Sequence, residues 1–194
     1  MPENPAPSSS GSTTVHWVRP PHLVPLGPEH LPALQETMRD PAILRFTRTP
    51  HPMPDGWLET WLGKFDQERR FAWAIEDDDG RFLGYAVTAG EINREDREVE
   101  LGYAVAPHAR GRGVATQTLR QLTQWAFDQG MVRVVALIST DNPASSRVAE
   151  KAGYTLEGVL RSVHHINGRR GDLESWSILP GELAGPVAPP ATRS

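Results

Sequence analysis

Apolar and polar positions alternate along this chain in two periods, and the switches between them mark out an ordered set of elements. The short apolar run Leu23-Val24-Pro25-Leu26 reads as a first strand. Pro28-Glu29-His30-Leu31 opens a helix that runs through Met38 and stops at Asp40-Pro41. From Ile43 to Pro54 the pattern is broken by proline and mixed polarity, and no element is predicted. Trp57, Trp61, Leu62 and Phe65 then fall at helical spacing within a helix from Gly56 to Glu68. Phe71 to Ile75 and Phe82 to Thr88 are strands, joined as a hairpin by Asp77-Asp78-Asp79-Gly80. Val99 to Val105 is the next strand. Val114 to Phe127 is a helix with Ala115, Leu119, Leu122 and Ala126 on one stripe and Gly130 past its end. The β-branched run Val132 to Ile138 predicts a buried strand. Asn142 caps a helix with Pro143 at its first position and Gly153 after its end. Tyr154 to Val163 and Leu173 to Leu179 are the last strands, with a polar loop containing Asn167-Gly168 between them. Strands and helices mix without a strict strand–helix–strand repeat, which predicts an α/β (α+β) domain on one mixed sheet.

Composition narrows the class. The 194 residues suffice for one domain with a sizeable core, and the balance of 38% hydrophobic to 23% charged residues is that of a soluble globular protein. The Pro-, Ser- and Gly-rich start predicts a disordered N-terminal tail over residues 1–21 with no signal-peptide pattern, and a flexible C-terminal tail is expected over 184–194, leaving a folded body of 22–183. A net charge of −4 argues against nucleic acid as a partner, while leaving room for a local basic site for a small anion. The lack of cysteine excludes disulfides, thiolate metal sites and a cysteine nucleophile, and agrees with a reducing, cytoplasmic location. No apolar run approaches a membrane span, so no membrane partner is expected.

Chemistry concentrates between Tyr103 and Thr116. An apolar strand stops at Pro107, an arginine- and glycine-rich loop follows, and an amphipathic helix begins. This layout gathers free backbone N–H groups, a positive helix end and the guanidinium groups of Arg110 and Arg112 around a volume suited to a pyrophosphate. Gly111 and Gly113 remove side chains where the backbone must approach phosphate. The N–H groups of Arg112, Gly113, Val114, Ala115 and Thr116 are the expected donors, and Thr116 adds a hydroxyl. A P-loop would need Gly-Lys-Ser/Thr, and a dinucleotide fold would need Gly-x-Gly-x-x-Gly after the first strand; neither is present.

The stretch Arg110-Gly111-Arg112-Gly113-Val114-Ala115 matches the Gln/Arg-x-x-Gly-x-Gly/Ala pattern of the GCN5-related N-acetyltransferase (GNAT) superfamily. Glu100-Leu101-Gly102-Tyr103 precedes it. Asp141-Asn142-Pro143-Ala144-Ser145-Ser146 and Ala152-Gly153-Tyr154 follow, then Glu157-Gly158. Together they make most of the folded body resemble the RimJ/RimL-type ribosomal-protein N-terminal acetyltransferases. That resemblance implies a GNAT fold, in which one mixed, mostly antiparallel sheet with a splayed central strand pair is flanked by helices. It implies acetyl-CoA as cosubstrate and no metal. The pantetheine arm would follow the free strand edge at Tyr103, Ala104 and Val105, and the Val105 N–H would serve the oxyanion. Asn142 would contact the pantetheine near the thioester, alongside its capping role.

Acetyl transfer to an amine needs a base for the amine, a donor for the oxyanion and a proton for the departing thiolate. Direct attack in a ternary complex is the simplest route. Glu100 is the first candidate base, with a solvated charge beside Glu91, Glu95, Asp96 and Glu98 as its bland alternative. His164 is the second, at a position where RimL-like enzymes carry a carboxylate; an imidazole can take a proton near neutral pH. His165 should face the other side of the strand, so the pair is a poor metal site. Ser145, one helical turn after Asn142, is the candidate acid, with local capping as its alternative; Tyr154 is a weaker one. The expected acceptor is a protein or peptide N-terminal amine. A small amine (antibiotic, polyamine or amino acid) and a non-catalytic acyl-CoA-binding module are the alternatives. Trp57, Trp61 and Phe65 are expected in the core, and the acidic run from Glu91 to Glu100 is a weak attractor for a cationic acceptor. Both a monomer and a homodimer fit the sequence.

Overall fold

The computed structural model describes residues 21–166 and 168–185. Apart from the few tail residues within these limits, both predicted tails lie outside it, as does Asn167 of the last loop. Seven strands form a sheet in the order β1-β2-β3-β4-β5-β7-β6. They are β1 (His22–Pro25), β2 (Ala72–Glu76), β3 (Phe82–Thr88), β4 (Glu98–Val105), β5 (Arg133–Ser139), β6 (Thr155–Ile166) and β7 (Arg169–Ile178). All neighbours are antiparallel except β4 and β5, which run parallel.

The helices α1 (Leu31–Met38), α2 (Pro41–Phe46) and α3 (Trp57–Leu62) cover one face of the N-terminal half of the sheet. Leu34, Met38, Ile43 and Leu58 pack there against Ala72, Ala74, Tyr85 and Ala104. The other face is covered by α4 (Val114–Asp128) and α5 (Pro143–Ala152). Here Leu119, Leu122 and Ala126 meet Val99, Leu101, Val134, Ala136 and Ile178. Each buried leucine on these stripes contributes about 1.5–3 kcal/mol. Val114, rather than the expected Ala115, opens the buried stripe of α4.

Three elements differ from the sequence expectation. Asp40-Pro41 begins a helix instead of merely ending one: the Asp40 carboxylate accepts from the Ala42 and Ile43 amides, and Pro41 occupies the first helical position. The helix expected to reach Glu68 stops at Leu62. Gly63 caps it, and the Asp66 carboxylate then gathers the Glu68, Arg69 and Arg70 amides into a turn. The polar loop expected between the last strands is mostly strand. A bulge between Leu160 and His164, held where the Ser162 amide donates to Asp172, lets β6 and β7 stay paired as far as Ile166 and Arg169.

Candidate active site

β4 and β5 share a ladder only at Glu98–Arg133, Val99–Val134 and Glu100–Val135. Beyond it, β4 pairs with β3 alone and β5 with β7 alone, so the two central strands splay. Glu100 O accepts from Ala89 N, and Ala106 N donates to Leu83 O. Even-numbered residues of β4 therefore spend their main-chain groups on β3, and those of Tyr103 and Val105 turn toward the gap.

A cleft of about 560 Å3 fills this gap, within the range of ligand sites. Tyr103, Ala104 and Val105 line it, as do Arg110, Gly111, Gly113, Val114, Ala115, Thr116, Asn142 and Ser145. The sequence-predicted cofactor set is thus brought together, except that Arg112 lies outside the lining. Gly111 and Gly113 both have positive φ (73° and 79°), which turns the loop into the first turn of α4. A side chain at Gly113 would enter open space rather than protein. The first intrahelical bond of α4 runs from Gln117 N to Gly113 O, so the Val114, Ala115 and Thr116 amides lack helical acceptors at the cleft. Among the described residues no acidic one lines the cleft, in a chain whose net charge is −4.

Sequence reasoning missed part of this wall. α2 contributes Ala42, Ile43, Phe46 and Thr47, and α5 contributes Arg147 and Lys151. The i, i+4 spacing of these two cations on a capped helix was the signal for the second pair. Arg110 is not a free phosphate hook: its Nη2 donates to Asp40 Oδ1 at 2.7 Å, and its Nε donates to Val105 O at 3.2 Å. Burial would raise the Asp40 carboxyl, but Arg110 and the two capping amides outweigh it and hold the group below the usual carboxylate value.

The proposed proton carriers lie on opposite faces of the sheet. Tyr103 O–H and Ser145 Oγ are 2.7 Å apart on the α4–α5 side. Burial pushes the Tyr103 hydroxyl up to about 12, with the Ser145 bond opposing. Asn142 caps α5, its side-chain oxygen accepting from Ser145 N. Tyr154 is 4% exposed and bonded to Thr123 Oγ1 at 2.7 Å beneath the helices, away from the cleft lining.

On the other face, strand register aligns Glu100 with Val135, then Leu137 with Ser175, Leu173 with Leu160, and Gly171 with His164. Register partners share a face, so Glu100 and His164 lie on the same sheet face, three strands apart, with the buried Val135 and Leu173 between them. Burial raises the Glu100 carboxyl, with Arg48 opposing and Glu98 adding to the rise. Partial burial holds the His164 imidazole below its ordinary value, and Arg48 adds to that. Glu98, two residues from Glu100, is tied to Arg133 at 2.6 Å. Glu100 has no hydrogen bond or ion pair of that kind among the described residues. Within the acidic run Glu91 pairs with Arg69 at 3.7 Å, while Asp96 accepts only from the neutral Asn93 amide. Trp57, Trp61 and Phe65 are half-buried against the core rather than within it: Trp61 stacks on Trp57 and meets Phe65 and Tyr85 edge-on, and none lines the cleft. Among the described residues no group of three His, Asp or Glu could hold a metal, and no helix is long and apolar enough to cross a membrane.

A sheet opened at its parallel pair, with a glycine-turned helix end beside the opening, is the arrangement that the resemblance to the GNAT superfamily implies. Residues 22–155 match the family model described as "Acetyltransferase (GNAT) domain", and the chain belongs to that family as an acetyl-CoA-dependent N-acetyltransferase. It is 29% identical over 123 residues to the uncharacterized N-acetyltransferase YoaA of Bacillus subtilis, covering 63% of this chain and 70% of YoaA. It spans 58% and 53% of the length of two further relatives. A spermidine N-acetyltransferase from Vibrio cholerae, solved with CoA and spermine, superposes with a TM-score of 0.75 at 21% identity, over 84% of this chain and 97% of that one. RimL, a ribosomal L7/L12 α-N-protein acetyltransferase solved with CoA, also gives 0.75 at 20% identity, over 84% and 95%.

Proposed function

We propose that this enzyme acetylates the α-amino group of a protein or peptide, with Glu100 as base. The observation that carries the reading is the arrangement around the splay. A cation-lined cleft without acids opens between β4 and β5, and a carboxylate without an ion pair waits on the face beyond it. Bound acetyl-CoA supplies an activated acetyl thioester. The Val114, Ala115 and Thr116 amides, with Arg147 and Lys151, hold its phosphates, while Tyr103 and Val105 offer main-chain groups to the pantetheine arm. The Val105 N–H donates to the carbonyl oxygen as charge develops there. Glu100, made more basic by burial, takes the proton of the attacking amine directly or through one water, and His164 borders the same surface as the second acceptor of a proton. Ser145, backed by the Tyr103 hydroxyl, gives a proton to the departing sulfur. Acid and base thus work from opposite faces and do not neutralise each other.

The acceptor follows from proton chemistry. An α-amine has a pKa near 7.7–8.0, against about 10.4 for a lysine-like alkylamine, so a single carboxylate deprotonates it far more easily. The ion pairs of Glu91 and Glu98 also weaken the acidic patch that a polyamine would seek. RimL acts on a protein α-amine, and its fold is shared here. Thiol release from acetyl-CoA, followed with free-amine peptides, the same peptides with blocked N-termini, and spermidine, tests this reading. Release with free peptides alone is the expected result; release with spermidine alone overturns it.

A further inference from the structure

Resting on the placement of CoA in the cleft, we infer that α2 is a crossbar over the splay and that Arg110 is its clasp, a positioning residue that holds an apolar wall against the pantetheine arm instead of gripping the diphosphate. α2 is tied at both ends, and the ties reach opposite sides of the gap. At its start the Asp40 carboxylate accepts from Arg110 Nη2 at 2.7 Å, and Arg110 lies on the chain that leaves β4. At its end Arg45 pairs with Asp141 at 3.8 Å, and Asp141 lies on the chain that leaves β5, just before the Asn142 cap. The six residues of α2 rise about 9 Å, roughly twice the spacing of paired strands, so the element can bridge strands that no longer pair.

The first tie is the firmer one. The Asp40 and Arg110 side chains are 17% and 40% exposed, against 73% and 65% for Asp141 and Arg45. A short, partly buried charge-assisted bond holds where an exposed pair contributes little. The same Asp40 oxygen caps α2 through the Ala42 and Ile43 amides. Arg110 also donates from Nε to Val105 O at 3.2 Å, on the cleft edge of β4. One guanidinium thus joins the free strand edge to the first turn of the crossbar. What the crossbar presents suits one part of CoA. Ala42, Ile43 and Phe46, followed by Thr47, give the cleft an almost wholly apolar wall there. Groups suited to phosphate come from elsewhere, as the amides at the start of α4 and as Arg147 and Lys151 of α5. Drawing Arg110 onto a phosphate would take the cation from Asp40 and free the wall at its firmer end.

Pantetheine carries the arm without the diphosphate, so comparing it with CoA separates the two roles. The test is the dissociation constant of the full chain for CoA, by calorimetry, and for pantetheine, by NMR titration. The variants are Asp40→Ser, Asp40→Asn, Arg110→Gln, Asp40→Ser with Arg110→Gln, and Arg45→Gln. Serine and asparagine both keep the helix cap. Asp40→Ser and Arg110→Gln should each weaken CoA and pantetheine by the same factor, about tenfold, as loss of one charge-assisted bond implies. The double variant should be no weaker than either single one. Asp40→Asn, which retains an acceptor oxygen, should keep part of the affinity, and Arg45→Gln should weaken binding by under about threefold. Loss confined to CoA in Arg110→Gln overturns the inference and makes Arg110 a phosphate ligand. Additive losses in the double variant overturn it too, as does tighter CoA binding in Asp40→Ser, the mark of a cation released to the diphosphate. Unchanged constants in Asp40→Ser, with CoA still weakened by Gly113→Glu, overturn this inference alone. CoA binding untouched by Gly113→Glu as well overturns the placement of the cofactor on which it rests.

Discussion

The two sides of the splay are built from different material. On the α4–α5 side the cleft is mostly main chain: the turned edge of β4, the positive-φ glycines and the open amides at the start of α4. On the other side the surface proposed for the acceptor is made of side chains, Glu100 and His164, brought in by β4 and β6. In the proposed mechanism backbone geometry grips what is common to every turnover, the diphosphate and the pantetheine arm, while side chains read what differs from one acceptor to another. The same strand serves both tasks because its residues alternate between faces, with Tyr103 and Val105 on one side and Glu100 on the other.

The strongest test of this division is Glu100→Gln. It should lower kcat by about a hundred- to a thousandfold, the usual yield of a positioned base, and leave the KM for acetyl-CoA within about twofold. An equal rise in that KM would mean that the two sides are not separate. The complementary change is Gly113→Glu, which places a carboxylate in the open space beside the helix amides. Like-charge contact with phosphate costs several kcal/mol, so acetyl-CoA binding should weaken by about a hundredfold, ~3 kcal/mol, in calorimetry. The φ of 79° adds strain for any residue but glycine there. Unchanged affinity would show that the phosphates sit elsewhere.

The same contrast explains what could be read from the chain. The shape of the loop before α4 was legible because main-chain turns write themselves locally: glycine where φ must be positive, proline at the strand end, and an apolar stripe starting three residues on. The strands were legible from alternation, and their pairing around the splay from the resemblance that the loop carried. α2 was missed because Asp-Pro serves equally as a stop and as a cap-plus-first-turn, and only the amides that Asp40 receives decide between them. The Asp40–Arg110 pair spans 70 residues of sequence, and no local pattern encodes it. Glu98 and Glu100 could not be told apart by alternation, since both point the same way; the difference is Arg133, which β5 sets beside one and not the other.

The smallest effect separates catalysis from folding at the same residue. Burial raises the folded-state pKa of Glu100 above its ordinary value near 4.5, more than Arg48 lowers it. The native state then holds this proton more tightly than the unfolded chain does. The stability it contributes is fully present below the ordinary value and is lost as pH rises through the folded one. Once ionised, the buried carboxylate is therefore a burden on the fold. Glu100→Gln removes that charge while keeping the shape, so the variant should melt above the parent at pH 8, with a stability gain within the ordinary span of under about 3 kcal/mol. The gap should close as pH falls below the carboxylate range, where Glu100 is itself neutral. Thermal melts of both proteins across that range read the effect directly. A variant less stable than the parent at pH 8 would mean that Arg48 and Glu100 stabilise the fold as a pair, and that the carboxylate on this face is structural rather than held ready for an amine.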